Sequence, residues 1–428
     1  MVALGIVATA TAFALADDWP QWRGPNRDGV WYETGIVSRF DGSQLEPVWR
    51  AKISGGYSGP TVAEGRVFVT DRITEPEEIE RVHAFDAATG ERLWTYSYSA
   101  PYVRVTYRTG PRASVTIADG RAYAFGTMGH LHCLDAATGK VLWKKIPGED
   151  LDIDVPTWGC ASAPLVEGDL LIVQIGAENG CITAFDRRTG EIEWQALDDP
   201  ASYSAPIVIE QGGRRVLVCW TGERVVGLNP QTGELYWEYP FSHKRWIDPI
   251  ISPVYDAATG RLFVSCFDDG AAMLQLTPDL NVRELWRRQG KDGHNTDAVH
   301  TLMGSPILEG DFIYAVDGYG QYRCLNAATG DRVWEDLTLT SLERWGTLHP
   351  VRHGDEVWMF NDMGELIITR LSPQGVEVLS RAKLLSPTRG QLSRGDGVTW
   401  SHPAFADGCV FNRNDEELIC VSLRAGDE

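Results

Sequence analysis

Residues 133–143 read Cys-Leu-Asp-Ala-Ala-Thr-Gly-Lys-Val-Leu-Trp, and close copies of this stretch recur along most of the chain. Each copy leads from a small and an apolar residue into Asp or Asn, continues to Thr-Gly, and ends on Trp four places after the glycine. A pattern that returns at regular intervals indicates a repeat architecture. The copies are Ala84–Trp94, Ala184–Trp194, Gly227–Trp237 and Cys324–Trp334.

Each copy has the chemistry of a β-hairpin. Asp135 can accept hydrogen bonds from the backbone ahead of it, and Gly139 can adopt the positive φ that closes the turn. The flanking segments Leu131–Leu134 and Val141–Trp143 are rich in the branched and aromatic residues typical of strands. A lone hairpin is only marginally stable in water, so each copy must bury its Trp against a neighbour. The repeat therefore predicts an array of small sheets.

The spacing of the repeat predicts a closed ring. Trp residues at the repeat position follow one another at intervals of 43 to 51 residues, which is room for four short antiparallel strands. We count seven complete units, and residues 401–421 supply three strands of an eighth. The segment around Trp49 can complete that last unit and remove an exposed sheet edge. We therefore predict an all-β, eight-bladed β-propeller of four-stranded antiparallel blades, with its ring closed by the N-terminal strand around Trp49.

The repeat resembles the tryptophan-docking repeat of the quinoprotein (PQQ) alcohol dehydrogenase-type propeller family, and the chain is closest in build to that family's BamB-like scaffold proteins. The resemblance implies that one Trp per unit packs between adjacent blades. The residues at this docking position are Trp49, Trp94, Trp143, Trp194, Trp237, Trp286 and Trp334.

The family includes both enzymes and scaffolds, so membership alone does not define the function. Quinoprotein dehydrogenases of this family hold the quinone between a Trp and a ring made by two adjacent cysteines, with Ca²⁺ and a catalytic Asp beside it. None of the eight cysteines of this sequence is adjacent to another. The resemblance therefore favours the scaffold branch.

The sequence divides into three parts. Residues 1–16 are apolar or small throughout and end in Ala14-Leu15-Ala16, which predicts a secretory signal peptide. Residues 17–45 are punctuated by Pro and Gly and predict an N-terminal cap or strap, and residues 46–428 form the propeller. No other stretch approaches the ~20 apolar residues that a membrane span needs. We expect a soluble periplasmic or extracellular protein without a lipid anchor, since no Cys follows the cleavage site.

Charge and composition exclude several function classes. The 59 acidic residues outnumber the 39 basic residues and give a formal net charge of −20, which repels phosphate backbones. We therefore predict no nucleic-acid partner. No Ser-His-Asp set, phosphate loop or nucleotide-binding signature is present, so no catalytic residue is predicted. No metal site is predicted either, because the acidic and His-containing loops match no standard ligand spacing.

The candidate binding residues follow from the connections between units. Six connections from the last strand of one unit to the first strand of the next are long, and they should emerge on one face around the central channel. Aromatic residues occupy equivalent positions where several of these loops enter a blade. Either they fill the channel, or they form a pocket or a protein anchor. The candidates are Tyr57, Trp158, Tyr203, His300, Trp345, His349, Trp400 and His402.

We interpret the protein as an exported, monomeric, non-enzymatic propeller scaffold without a cofactor. Its long-loop face should bind a protein partner, or a small or glycan ligand. The first alternative is a dehydrogenase that depends on PQQ and Ca²⁺. The second alternative is a carbohydrate-binding propeller.

Overall fold

The computed structural model describes residues 17–393 and 395–426. The predicted signal peptide, residues 1–16, lies outside the described residues. The described part consists of 32 β-strands in eight four-stranded antiparallel sheets, as the sequence predicts. It contains no helix long and apolar enough to cross a membrane.

The first four blades follow one another in chain order, each with its strands numbered from the channel outward. Blade 1 is β2 (Thr61–Ala63), β3 (Arg66–Ile73), β4 (Ile79–Asp86) and β5 (Arg92–Ser99). Blade 2 is β6 (Thr116–Ala118), β7 (Arg121–Phe125), β8 (Leu131–Asp135) and β9 (Val141–Lys145). Blade 3 is β10 (Leu165–Glu167), β11 (Leu170–Ala177), β12 (Gly180–Asp186) and β13 (Ile192–Ala196). Blade 4 is β14 (Ile207–Gln211), β15 (Arg214–Trp220), β16 (Arg224–Leu228) and β17 (Leu235–Pro240).

The last four blades repeat this arrangement. Blade 5 is β18 (Val254–Asp256), β19 (Arg261–Cys266), β20 (Gly270–Thr277) and β21 (Asn281–Arg288). Blade 6 is β22 (Ile307–Glu309), β23 (Phe312–Val316), β24 (Tyr322–Asn326) and β25 (Arg332–Asp336). Blade 7 is β26 (Leu348–His353), β27 (Glu356–Asn361), β28 (Glu365–Ser372) and β29 (Gly375–Lys383). Blade 8 is β30 (Ala404–Ala406), β31 (Cys409–Arg413) and β32 (Glu417–Ser422), completed by β1 (Trp49–Lys52).

The ring closes through strands from the two ends of the chain. Strand β1 pairs antiparallel with β32, with Trp49 opposite Cys420 and Ala51 opposite Leu418. The predicted closure around Trp49 is therefore confirmed. This pairing places hydrogen-bonded backbone where blade 8 would otherwise present an open edge.

The apolar core lies between the blades. Its clusters combine side chains of neighbouring sheets, such as Tyr123 of blade 2 with Val173 of blade 3 and Trp220 of blade 4 with Leu262 of blade 5. Middle strands are buried along most of their length, whereas outer strands such as β5 alternate between exposed and half-buried side chains. This pattern is expected when each sheet is covered on both faces by its neighbours.

In five blades the docking Trp contacts the Thr-Gly turn of the next blade. The Trp94 indole Nε1 of blade 1 donates to the Ala136 carbonyl of blade 2 at 3.0 Å, and a Cβ built on Gly139 would lie 2.6 Å from the Trp94 ring. Gly139 also has a φ of +71°. The glycine is therefore required both by the turn and by the neighbouring indole. The same contact joins Trp49 to Gly90, Trp143 to Gly190, Trp194 to Gly233, and Trp286 to Gly330.

Blade 5 has no Thr-Gly turn between β20 and β21, and a glutamine side chain takes over the contact with the docking Trp. The Trp237 indole donates to Gln211 Oε1 at 2.8 Å. The Gln211 amide in turn donates to the carbonyls of Thr277 and Asn281, at 2.9 and 3.0 Å. Gln211 thus connects the docking Trp of blade 4 to the turn of blade 5.

The N-terminal segment lies across the end of the channel opposite the long loops. The backbone of Trp19 pairs with Val62 in blade 1, and that of Trp31 bonds Arg352 in blade 7. Between them, Arg27 is buried and donates to the carbonyls of Ala163, Pro164 and Pro206. Residues 20–27 therefore connect opposite sides of the ring.

Candidate functional site

A cavity of about 200 Å³ lies at the end of the channel where the long loops emerge. All eight blades contribute to its wall, because the segment that enters each first strand runs along the channel. The lining residues are Trp22, Tyr57, Tyr107, Arg112, Ser114, Trp158, Ala161, Ala163, Tyr203, Ala205, Ile250, Leu302, Met303, Trp345, His349, Trp400 and His402.

Seven of the eight predicted binding residues line this one cavity. They come together because the segments that enter the first strands of several blades converge on the channel, and Tyr57, Tyr203 and Trp400 occupy the same position in three of these segments. His300 is the exception, and it lies outside the lining. Its ring is fully buried, with Nδ1 2.7 Å from the Phe267 carbonyl, and its backbone N–H donates to Asp317. The contacts of His300 are those of a histidine that supports a loop. The seven residues in the wall are Tyr57, Trp158, Tyr203, Trp345, His349, Trp400 and His402.

Two groups of aromatic rings form opposite parts of the wall. Trp158 and Tyr203 lie 5.0 Å apart between ring centroids, and the Tyr203 hydroxyl accepts a hydrogen bond from the Trp158 backbone. Trp345 and Trp400 meet edge to face at 6.3 Å, and Tyr107 contacts both of them. Such pairs hold large apolar surfaces in fixed orientations.

Two wall residues have an unfavourable backbone conformation. Tyr107 and Trp345 have φ values of +54° and +72°, and they are the two aromatic residues of the described part with positive φ. A bulky residue in this region costs on the order of 1–3 kcal/mol and persists where the surroundings enforce it. Backbone strain of this kind is concentrated at binding sites, so its position at the cavity supports a functional wall.

The N-terminal segment supplies one side of the cavity. The Trp22 ring packs edge to face on His402 with 4.5 Å between centroids, and its indole donates to Ser252 Oγ at 3.0 Å. The His402 Nε2 lies 2.7 Å from Ser114 Oγ. Trp22 therefore closes the cavity toward the opposite end of the channel.

The one guanidinium of the lining is used to hold its own loop. Arg112 donates to the carbonyls of Thr106, Tyr107 and Gly110, and lies over the Tyr57 ring at 5.0 Å from the centroid. These contacts fix the loop that carries Tyr107. They also satisfy much of the donor capacity of Arg112.

The histidines of the wall are held neutral. Burial lowers the pKa of His349 to about 4. Burial and the neighbouring His349 lower the pKa of His402 to about 3. The two rings are 6.2 Å apart, and His349 Nε2 lies 2.8 Å from the Trp400 carbonyl. At neutral pH the cavity therefore carries no imidazolium charge.

The lining does not fit a bound quinone with Ca²⁺. No Asp, Glu or Asn is among the described lining residues, whereas Ca²⁺ requires six to eight oxygen ligands, many of them carboxylate. The carboxylates of the quinone would meet a single cation, Arg112, which is already bonded to its own loop. The cavity is instead lined mainly by aromatic and apolar side chains, which suit an apolar ligand group.

Exposed apolar side chains also lie on three of the connections between blades that contribute to the cavity wall. These connections run from β5 to β6, from β17 to β18 and from β25 to β26, and the four side chains are 45 to 60% exposed. Exposed apolar residues on the same connections as the wall are available to a protein partner. These residues are Val103, Trp246, Leu337 and Leu342.

Sequence reasoning missed several wall residues. Trp22 belongs to a segment far away in sequence, and no repeat signal places it in the channel. Tyr107 and Arg112 lie within a long loop, where periodicity gives no orientation. Met303 lies three residues before Pro306, as Tyr57 lies three before Pro60, so comparison with Tyr57 could have found Met303 and the adjacent Leu302.

A family model described as outer membrane protein assembly factor BamB, of PQQ-like repeats, matches residues 32–111, 78–335 and 257–428. Together these matches cover the ring from the N-terminal segment to the last blade. The chain belongs to this PQQ-like, BamB-type propeller family.

Both quinoprotein dehydrogenases and BamB proteins are similar to the chain in sequence. Quinohemoprotein alcohol dehydrogenase of Comamonas testosteroni is 32% identical over 213 residues, which are 45% of this chain and 27% of that protein. The chain thus aligns with about a quarter of the first dehydrogenase relatives. BamB of Burkholderia pseudomallei (strain K96243) is 24% identical over 382 residues, which are 83% of this chain and 78% of that protein.

Solved structures of a BamB protein and of a quinoprotein dehydrogenase share the propeller fold. BamB from Moraxella catarrhalis superposes with a TM-score of 0.61 at 18% identity, over 90% of this chain and 99% of that chain. The quinohemoprotein alcohol dehydrogenase of Comamonas testosteroni gives a TM-score of 0.64 at 14% identity, over 96% and 81%. At these identities the superpositions show the fold alone.

Proposed function

We propose that the protein is an exported, non-enzymatic scaffold that binds a segment of a partner protein at its long-loop face. A large apolar or aromatic side chain of that segment occupies the cavity, and the neighbouring residues contact the connections that form its wall. The observation that carries this proposal is the combination of an aromatic-lined cavity with exposed apolar residues on the connections that form its wall.

The size of the cavity favours a single side chain. Pockets for drug-sized molecules measure ~300–1,000 Å³, whereas this cavity measures about 200 Å³. Protein interfaces concentrate their binding energy in aromatic and Arg anchors that enter such pockets. The contacts around the anchor then exclude water from it.

The similarity to the BamB proteins of Burkholderia pseudomallei and Moraxella catarrhalis supports a scaffold in an exported compartment. The similarity to the quinohemoprotein alcohol dehydrogenase is of the same order and supports the alternative of a dehydrogenase. We favour the scaffold because the cavity lacks the carboxylates that Ca²⁺ needs. A sugar site is less favoured, since sugar hydroxyls require several polar partners and this wall is mostly apolar.

A displayed library of random peptides tests the proposal. The library is selected on the purified protein and counter-selected on Trp158→Ala, whose half-buried side chain can be removed with little effect on the core. We expect enriched peptides to share an aromatic or large aliphatic residue. Leu142→Ser, on the exposed outer strand of blade 2, is the matched control and should retain the same peptides.

Parallel titrations with PQQ plus Ca²⁺ and with a panel of glycans test the alternatives. A ligand at 100 times its Kd should raise the free energy of unfolding by about 2.7 kcal/mol. Stabilisation by PQQ and Ca²⁺, or by a glycan, with no peptide that depends on Trp158, would contradict the scaffold proposal.

A further inference from the structure

A second cluster of side chains lies between blades 4 and 5. The cluster comprises His243, Asp248, Cys266 and Asp269, and we refer to it as the 243–269 cluster. Two members come from the loop after β17, one ends β19, and one lies in the turn between β19 and β20. One ligand atom from each member lies within 4.8 Å of the others.

The members of the 243–269 cluster are buried and incompletely hydrogen-bonded. The side chains of His243, Asp248 and Asp269 are 5%, 2% and 0% exposed. His243 Nδ1 lies 3.0 Å from Asp269 Oδ2 and 4.0 Å from Asp248 Oδ1. Asp248 Oδ2 accepts from the Asp268 backbone N–H, whereas Asp248 Oδ1 is buried without a hydrogen-bond partner. An oxygen that can bind a cation therefore faces the cluster unpaired.

No Lys or Arg side chain of the described residues balances the carboxylates of the cluster. Among residues 17–393 and 395–426, no Lys or Arg forms an ion pair with Asp248 or Asp269. Arg287 is close, but it lies over the Phe241 ring at 3.6 Å from the centroid and reaches only the Asp269 carbonyl. Burying two carboxylates with at most one imidazolium beside them is costly, so a bound divalent ion would stabilise this arrangement.

The donor set matches zinc. Zn²⁺ binds imidazole nitrogen, thiolate sulfur and carboxylate oxygen in tetrahedral geometry, with bonds of about 2.0–2.3 Å and thus roughly 3.3–3.8 Å between ligand atoms. The cluster, with ligand atoms up to 4.8 Å apart, reaches that geometry through small side-chain rotations. A thiol and an imidazole disfavour Ca²⁺ and Mg²⁺, which prefer oxygen ligands.

We propose that the 243–269 cluster is a structural binding site for a divalent transition-metal ion of the zinc class. The ion would join the loop after blade 4 to the β19–β20 turn of blade 5. The same loop supplies Ile250 to the cavity wall, and its Pro249 carbonyl accepts the Tyr203 backbone N–H at 3.0 Å. The metal would therefore hold one part of that wall in place. This site stands independently of the function proposed for the cavity.

Metal content and affinity provide the first test. The purified protein is stripped with a chelator, titrated with Zn²⁺, and compared with Asp248→Asn and Cys266→Ser. We expect one tight Zn²⁺ per chain, and a loss of more than about 100-fold in affinity in each variant, since even partners behind the ligands contribute 10- to 100-fold. Cys219→Ser, a buried Cys of blade 4 outside the cluster, is the control and should bind as wild type does.

Cobalt provides a test that does not depend on whether the variants fold. The wild-type protein loaded with Co²⁺ should show tetrahedral d–d bands and a thiolate-to-cobalt charge-transfer absorption in the near ultraviolet. Stoichiometric Zn²⁺ should abolish both. A stripped wild-type protein that binds no Zn²⁺, or a Co²⁺ spectrum without a thiolate band, would overturn the proposal.

Discussion

The glycine of each Thr-Gly turn is constrained by its own backbone and by the Trp of the preceding blade. Gly139 has a positive φ, and its α-carbon faces the Trp94 ring so closely that a Cβ would lie 2.6 Å away. Gly120 has nearly the same φ, +70°, but a Cβ there would meet no atom within 4 Å. Substitutions at Gly139 and Gly120 therefore distinguish the free-energy cost of the positive φ from the cost of the contact with the Trp94 ring.

Replacing these glycines by Ala should give unequal losses of stability. Both Gly139→Ala and Gly120→Ala incur the strain of a positive φ. Gly139→Ala should lose a further 1–3 kcal/mol or so, because the added methyl group overpacks the Trp94 contact. Urea unfolding of both variants measures the difference. Equal losses would show that the indole does not constrain the turn.

Histidines of the cavity wall make stability depend on pH. The folded-state pKa values of His349 and His402, about 4 and about 3, lie below the ~6.5 of an unfolded histidine. Between about pH 6.5 and pH 4 the unfolded chain therefore binds more protons at these residues. Their contribution to the free energy of unfolding falls as the pH is lowered through this window.

Urea unfolding across that pH window tests the two histidines. His402→Gln should weaken the dependence on pH, whereas His294→Gln, an exposed histidine, should leave it as in wild type. Should His402→Gln retain the full dependence of the wild-type protein, burial of this imidazole would not be its cause.

At the scale of strands and turns, the side chain of Gln211 replaces the Thr-Gly turn that blade 5 lacks between β20 and β21. Gln211→Ala removes the acceptor for Trp237 and two hydrogen bonds to the β20–β21 turn. At about 1 kcal/mol for each bond, we expect a loss of roughly 2–4 kcal/mol. Chemical denaturation measures it, with the exposed Gln374→Ala as the control. A loss below about 0.5 kcal/mol would contradict the role of Gln211 as the connection between blades 4 and 5.

Elements set by local chemistry could be predicted from the sequence. The strands, the turns and the docking Trp residues follow from a repeat in which every signal lies within a few residues, as in Asp135 to Trp143. The Gln211 connection could not be predicted, since it joins the end of β14 to a turn almost 70 residues later. No periodic pattern reports such a contact.

At the scale of the complete ring, residues at equivalent positions of different repeats come close together in space. Tyr57, Tyr203 and Trp400 occupy one repeat position in three blades, so a closed ring brings them to one channel. The path of the N-terminal segment is a tertiary property, and the placement of Trp22 in the cavity was therefore not predictable. The 243–269 cluster escaped prediction for the same reason, because it forms where two blades meet.

The scaffold proposal requires that the aromatic cavity bind an anchor side chain of a partner segment. Calorimetric titration of the tightest library-selected peptide into wild type, Trp158→Ala and Leu142→Ser tests this claim most directly. Truncating a hot-spot residue costs about 2 kcal/mol or more, so Trp158→Ala should raise the Kd by about 30-fold, with Leu142→Ser unchanged. An equal Kd for wild type and Trp158→Ala would place the binding site elsewhere and contradict the account.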